Sequence, residues 1–234
     1  MAQQGKISLD RYGKRGIAAS FAGLLLGVPA LLIPAGTAAW ANAWVFLGLT
    51  GAYLVVNTIV LLKKSPRLLN ERGKFVKEGT RPFDKAYVAL YLPLGLAILV
   101  VSGFDRRYGW SQVPVWVSAL GVVLLLATFV VGTWAMVANP YFECTMRIQD
   151  NRGQQIITSG PYRLIRHPGY SALLVSTLVY PLILGSWWAL APAGVLAAIV
   201  VVRTALEDRM LKAGLPGYAD YATRTRFRLF PMAW

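Results

Sequence analysis

Six apolar runs, at about residues 16–35, 40–62, 86–104, 113–138, 169–185 and 187–205, dominate this 234-residue sequence. Most are near the roughly 20 residues that an α-helix needs to cross about 30 Å of hydrocarbon. In lipid, every main-chain N–H and C=O must find its partner inside the protein, so such runs close their own hydrogen bonds as helices. The prediction is an all-α chain: a polytopic membrane helical bundle with about six membrane segments. The composition agrees, with 56% hydrophobic and only 15% charged residues, against about 25% charged in a soluble domain. The last two runs meet tightly at "LGSWW", and the fifth is short and holds Pro181. That pair reads as two full spans or as a tilted helical hairpin.

The formal charge of +14 would point to nucleic acid in a soluble protein. Here the cations lie between apolar runs, so they read as topology signals and contacts to anionic lipid, and nucleic acid is excluded as a partner. Four Lys or Arg precede the first run, eight lie in 63–85, four in 139–168 and six from Arg203 onward, whereas the alternate gaps hold only Arg106 and Arg107. The asymmetry predicts that both termini and the 63–85 loop are cytoplasmic. The opening "MAQQGKISLDRYGKRG" lacks an A-x-A-like cleavage site at the end of the first run, so that run reads as a retained helix. A single cysteine, Cys144, rules out an intramolecular disulfide, and no Cys/His cluster is present to hold zinc.

Trp40, Trp44, Trp110, Trp116, Trp187 and Trp188 lie near run ends and read as interfacial anchors. Gly23, Gly27, Gly48 and Gly51 suit close helix packing in lipid. Segment 139–160 is polar and turn-rich, with a β-branched run at Ile156-Ile157-Thr158, and reads as a short cytosolic excursion, as a hairpin would make. The chain thus divides into helices 1–4 over residues 1–138 and a chemistry-bearing part over 139–234, within one integrated domain.

Chemistry concentrates in the second part. "GPYRLIRHPGY" (160–170) holds the only histidine, His167, just before Pro168. Proline is tolerated at the first position of a helix. The helix N-terminus then presents free N–H groups and a positive dipole end beside Arg163, Arg166 and His167, a seat for a carboxylate or phosphate. "RTALED" places Arg203 and Glu207 four residues apart on one helix face, with Asp208 adjacent. Ionisable groups at the membrane edge of a packed helix are costly unless paired, and often mark a site. If the last two runs form a hairpin, a cationic and an anionic seat face each other across one cytosolic pocket. The tail "YADYATRTRFRLFP" reads either as an amphipathic interfacial segment or as a lid over that pocket.

Taken in order, these three motifs resemble the integral membrane methyltransferases related to isoprenylcysteine carboxyl methyltransferase and the phospholipid N-methyltransferases. The resemblance covers about residues 139–234. It implies that S-adenosyl-L-methionine binds at the cytosolic side beneath the C-terminal segment, and that a lipophilic substrate enters from the bilayer. Carried over by motif, Gly160, Pro161, Tyr162, Arg166, His167, Pro168 and Tyr170 would line the cofactor site, with Gly169 a harmless insertion. Glu207 and Asp208 match the family's acidic pair, the second acid being Asp here, and Arg203 its preceding arginine. Methyl transfer from a sulfonium needs alignment of two reactants and neither a metal nor a protein nucleophile. His167 and the helix N-terminus would hold the methionine carboxylate, Glu207 or Asp208 the amino group or ribose, and Tyr162 or Tyr170 the sulfonium through its ring. A carboxylate acceptor would be oriented by Arg203 as catalytic residue; an amine acceptor would need Glu207 as base. Two other classes remain open on sequence alone: an NADPH-dependent, sterol-reductase-like enzyme and a non-enzymatic membrane protein.

Overall fold

The computed structural model describes residues 8–74 and 82–234. Lys6, Lys77 and Arg81, counted above as topology signals, lie outside the described residues. Eight α-helices follow in order among the described residues: α1 (Arg11–Ala35), α2 (Ala41–Lys64), α3 (Pro66–Arg72), α4 (Pro82–Tyr108), α5 (Val115–Ala138), α6 (Pro168–Leu184), α7 (Leu190–Gly214) and α8 (Tyr218–Arg224). No strand occurs among the described residues. Five helices, α1, α2, α4, α5 and α7, are long and apolar enough to cross a membrane. The fifth apolar run is the 17-residue α6, about 26 Å long and so slightly shorter than the hydrocarbon core.

Helix α6 is the hub. It packs most extensively on α5, then on α7, and also touches α2 and α4. Helix α1 lies against α4 and α2, while α4 has no extensive packing against α2 or α5. Of the glycines the sequence pointed to, Gly27 and Gly51 pack as expected, where a Cβ would lie 3.6 Å from Leu99 and 3.3 Å from Leu24, but the tightest helix–helix approaches are made by others. A Cβ on Gly103 would lie 2.6 Å from the Leu31 carbonyl oxygen, fixing α4 on α1, and one on Gly121 would lie 2.9 Å from Ile183, fixing α5 on α6. Gly23 and Gly48 face open space, because their helix surfaces have no protein neighbour. Trp40 is likewise no anchor but a buried core residue, whereas Trp44, Trp110, Trp116, Trp187 and Trp188 are exposed.

The α6–α7 turn is tight, as expected. Gly185 adopts φ +80° and returns its N–H to Leu182 and Pro181. The buried Ser186 then donates to Asp105 at the end of α4, and Ser111 donates to the same carboxylate through both its N–H and its hydroxyl. Asn42 and Ser118 donate to the carbonyls of Ile183 and Leu182. Helices α2, α4 and α5 thus all hold this end of α6.

Segment 139–160 is not a hairpin. It forms a one-turn 3₁₀ helix at Asp150–Arg152, ended by Gly153 at φ +59°, and then continues without regular secondary structure. Ile156 packs with Ile148, Leu211, Leu215, Tyr218 and Tyr221, so its apolar side chain is satisfied by helices rather than by a neighbouring strand.

Candidate active site

The opposite end of the bundle gathers the start of α4, the end of α5, segment 139–159, the turn into α6, the last third of α7, and α8. Gly160, at φ +58°, starts a 3₁₀ turn (Gly160–Arg163) pressed against α5, where a Cβ would meet Trp134 at 2.9 Å. This turn sets Tyr162 inward, where its hydroxyl accepts from Asn139 and its carbonyl from the Tyr221 hydroxyl at 2.7 Å. Pro168 is the first residue of α6, as the sequence predicts.

Asp208 is 1% exposed and gathers the cations around it. Its Oδ1 accepts from Arg166 Nε at 2.7 Å and lies 3.4 Å from His167 Nε2; its Oδ2 accepts from Arg166 Nη2 at 3.2 Å and Arg228 Nε at 3.0 Å. Lys212 Nζ approaches Oδ2 at 3.1 Å, and the Tyr218 hydroxyl donates to Oδ1 at 3.3 Å. Arg166 goes on to donate to the carbonyls of Thr225 and Arg226. The N–H groups of Arg166 and His167 donate to Phe227 and Arg228, and the Ser171 hydroxyl to Leu229. Residues 225–229 are therefore a strap laced across the mouth of α6. This corrects the picture of two seats facing each other across a pocket. The cations and Asp208 are in direct contact, because a buried carboxylate this close to buried guanidinium groups is stable only when paired. Arg163, expected beside them, is exposed.

Arg203, 4% exposed, sits one turn before Glu207 but does not pair with it. Its Nη2 meets Asp84 Oδ1 of α4 at 2.5 Å and donates to the Cys144 carbonyl at 2.8 Å, and its guanidinium lies 4.1 Å over the Tyr87 ring and 5.3 Å from that of Tyr170. The second Asp84 oxygen accepts the Met146 N–H. Arg203 Nε and Thr145 Oγ1 are buried without a hydrogen-bond partner among the described residues. Glu207 instead accepts from the Tyr170 hydroxyl at 2.5 Å.

One cavity of about 620 Å³ connects these groups. Of the residues singled out from the sequence, Tyr162, Arg166, His167, Tyr170, Arg203 and Glu207 line it. Gly160, Pro161, Pro168 and Asp208 stand behind the wall and shape it. Gly169 also lines it and is not a neutral insertion: a Cβ there would fall 2.3 Å from the Phe142 ring. The polar mouth includes Glu143, Arg147, Gln149 and Gln154. Glu143 is buried between Arg147 and Arg152. Burial pushes the phenols of Tyr162 and Tyr218 well up and that of Tyr221 up to about 12, so these rings stay neutral donors at physiological pH. Sequence reasoning missed Asp84, Thr145 and Glu143. The one available signal for Asp84 was an acid directly ahead of an apolar run in a chain holding ten acids.

Residues 116–215 match the family described as phospholipid methyltransferase. The chain is 35% identical over 85 residues to the cobalt-zinc-cadmium resistance protein CzcN of Cupriavidus metallidurans, covering 35% of this chain and 38% of that protein. It is 32% identical over 138 residues to the nickel-cobalt-cadmium resistance protein NccN of Alcaligenes xylosoxydans xylosoxydans, covering 56% of this chain and 58% of that one. The chain thus spans between about two fifths and three fifths of the length of these relatives.

Proposed function

We propose that this protein transfers a methyl group from S-adenosyl-L-methionine to a lipophilic, membrane-embedded acceptor, most readily a carboxylate; the match of residues 116–215 to the phospholipid methyltransferase family supports this reading. The observation that carries this reading is the single cavity joining His167, Tyr170, Glu207 and Arg203 to an apolar chamber between the helices. The positive-inside charge asymmetry supports a site that faces the cytoplasm.

The residues fit the cofactor. Glu207 is the one carboxylate on the cavity wall held by a neutral hydroxyl alone among the described hydrogen bonds, which suits it to an ammonium group. The Gly169 N–H makes no hydrogen bond within the described protein and stands with His167 at the N-terminus of α6, a seat for a carboxylate. The rings of Tyr162 and Tyr218 offer flat faces to a base or a sulfonium. Asp208 acts through others, holding Arg166, His167 and the strap in register. When bound, the cofactor supplies an electrophilic methyl group; its transfer to a carboxylate oxygen forms an ester and leaves a neutral thioether.

Arg203 orients the acceptor. Its Nε is a buried donor without a partner, and leaving such a group unpaired costs about 1–3 kcal/mol, which an acceptor carboxylate would relieve. No base is then required. The family description favours a second reading, amine methylation, in which Glu207 removes the proton. The test is a thermal-shift comparison of S-adenosylhomocysteine with NADPH, followed by product analysis with a labelled methyl donor. Stabilisation by S-adenosylhomocysteine and a base-labile ester are expected. Methylamine products would select the second reading, and stabilisation by NADPH alone would overturn both.

A further inference from the structure

The cavity does not stop at the charged groups. Tyr170, Leu173, Ser176 and Tyr180 all line it, at spacings of three and four residues along one face of α6. From Tyr170 to Tyr180 this face runs about 15 Å into the bundle. Phe129 of α5 and Tyr53 of α2, stacked at 4.1 Å between ring centroids, line the same branch. Arg203 stands at the head of the branch, and Arg72, which also lines the cavity, donates to the Phe142 carbonyl. At its deep end the Tyr180 ring is backed edge-on by Phe46 at 5.0 Å, and Ile183, one turn further along α6, is buried against Gly121. On the α4 side, Val88 and Tyr91 line the cavity while remaining 53% and 40% exposed. They mark where it opens sideways, in the sector where α4 lacks extensive packing against α2 and α5.

We infer that this branch holds a single hydrocarbon chain whose anionic head sits at Arg203, and that Tyr180 is a specificity determinant that sets the longest chain admitted. The inference rests on the methyltransferase reading for the head group and goes beyond it in assigning the tail. Charge complementarity selects the orientation, because Arg203 carries an unpartnered donor at one end and the other end is aromatic and closed. Lipid is as apolar as the branch, so burial alone gives no preference for one chain over another. Selection comes from fit. A chain too long for the space must displace packed side chains, and overpacking of this kind disfavours it about tenfold or more.

The experiment uses the full chain in lipid nanodiscs and a series of straight fatty acids, from octanoate to stearate, each bearing a diazirine on its terminal carbon. Competition gives relative affinity, and mass spectrometry locates the adducts. For the best-bound member, adducts are expected at Tyr180 and Phe46, with longer members disfavoured about tenfold. Tyr180→Ala should move the optimum to longer chains, and Tyr180→Phe should leave it in place. Tyr180→Leu, which keeps more of the packing, guards against misfolding and should shift the optimum in the same direction as Tyr180→Ala. An unchanged optimum in both shortened variants, or adducts confined to lipid-facing residues such as Val123 and Val130, would overturn the inference. Binding of S-adenosylhomocysteine, measured on the same samples, separates this outcome from failure of the methyltransferase reading.

Discussion

Replacing Asp208 by Asn removes one negative charge from a site that holds the cationic side chains of Arg166, Lys212 and Arg228, and keeps almost the same shape. The carboxylate accepts two bonds from Arg166 and one from Arg228, and a hydrogen bond to a charged group contributes about 1.5–3 kcal/mol. Lys212 is 40% exposed on its side chain and adds little. Breaking one partner of a buried ion pair costs about 3–5 kcal/mol. The Asn oxygen still accepts one bond, and Arg166 keeps the carbonyls of Thr225 and Arg226, so the lower end applies, about 3 kcal/mol. Arg166 and Arg228 tie Asp208 to the turn into α6 and to the strap, so the loss falls there. Amide exchange reads it directly. The N–H groups of Arg166 and His167, bonded to strap carbonyls, should lose about a hundredfold in protection, while amides in the middle of α5 should not change. Protection at 166 and 167 that stays within about threefold of the parent protein would refute the view that Asp208 holds the strap.

Two further outcomes follow from the same geometry. The Tyr221 phenol is raised by burial to about 12, from an ordinary value of 10.0; its contribution is therefore fully present below pH 10 and is lost as pH rises through 12. Strap protection should decline over that window, and Tyr221→Phe, which removes the bond to the Tyr162 carbonyl, should flatten the decline; an identical profile in the variant would remove Tyr221 from the explanation. Gly169→Ala drives a methyl group into the Phe142 ring and should destabilise by about 1–3 kcal/mol, read as a lowered Tm; an unchanged Tm would mean that the ring swings aside freely.

The helices were legible in the sequence because lipid leaves a long apolar run one way to satisfy its backbone. Their ends were less so. Helix α7 continues to Gly214, well past Arg203, since its polar last turns are stabilised by partners on other elements rather than by their own pattern. The motif residues Tyr162, Arg166, His167, Tyr170, Arg203 and Glu207 do meet in one cavity. What the spacing concealed was who pairs with whom. Arg203 and Glu207 looked like natural i,i+4 partners, yet Arg203 turns to Asp84, more than a hundred residues earlier. Local spacing carries no information about α4, and a buried guanidinium goes to the carboxylate that arrives with the best geometry. Gly169 looked inert for the same reason: its importance lies in an aromatic ring from segment 139–159.

The strap also orders events in time. Arg166 leaves the ribosome long before the groups that neutralise it, with Asp208 42 residues later and the carbonyl of Arg226 60 residues later. At about 5–20 residues per second, this interval lasts roughly 3–12 s. During it, the leading end of α6 carries an unpaired guanidinium that water, not lipid, must accommodate. That end therefore has to wait at the bilayer surface while α7 is made. Insertion of α6 and α7 and assembly of the pocket are then a single event, completed only when residues 225–229 are delivered.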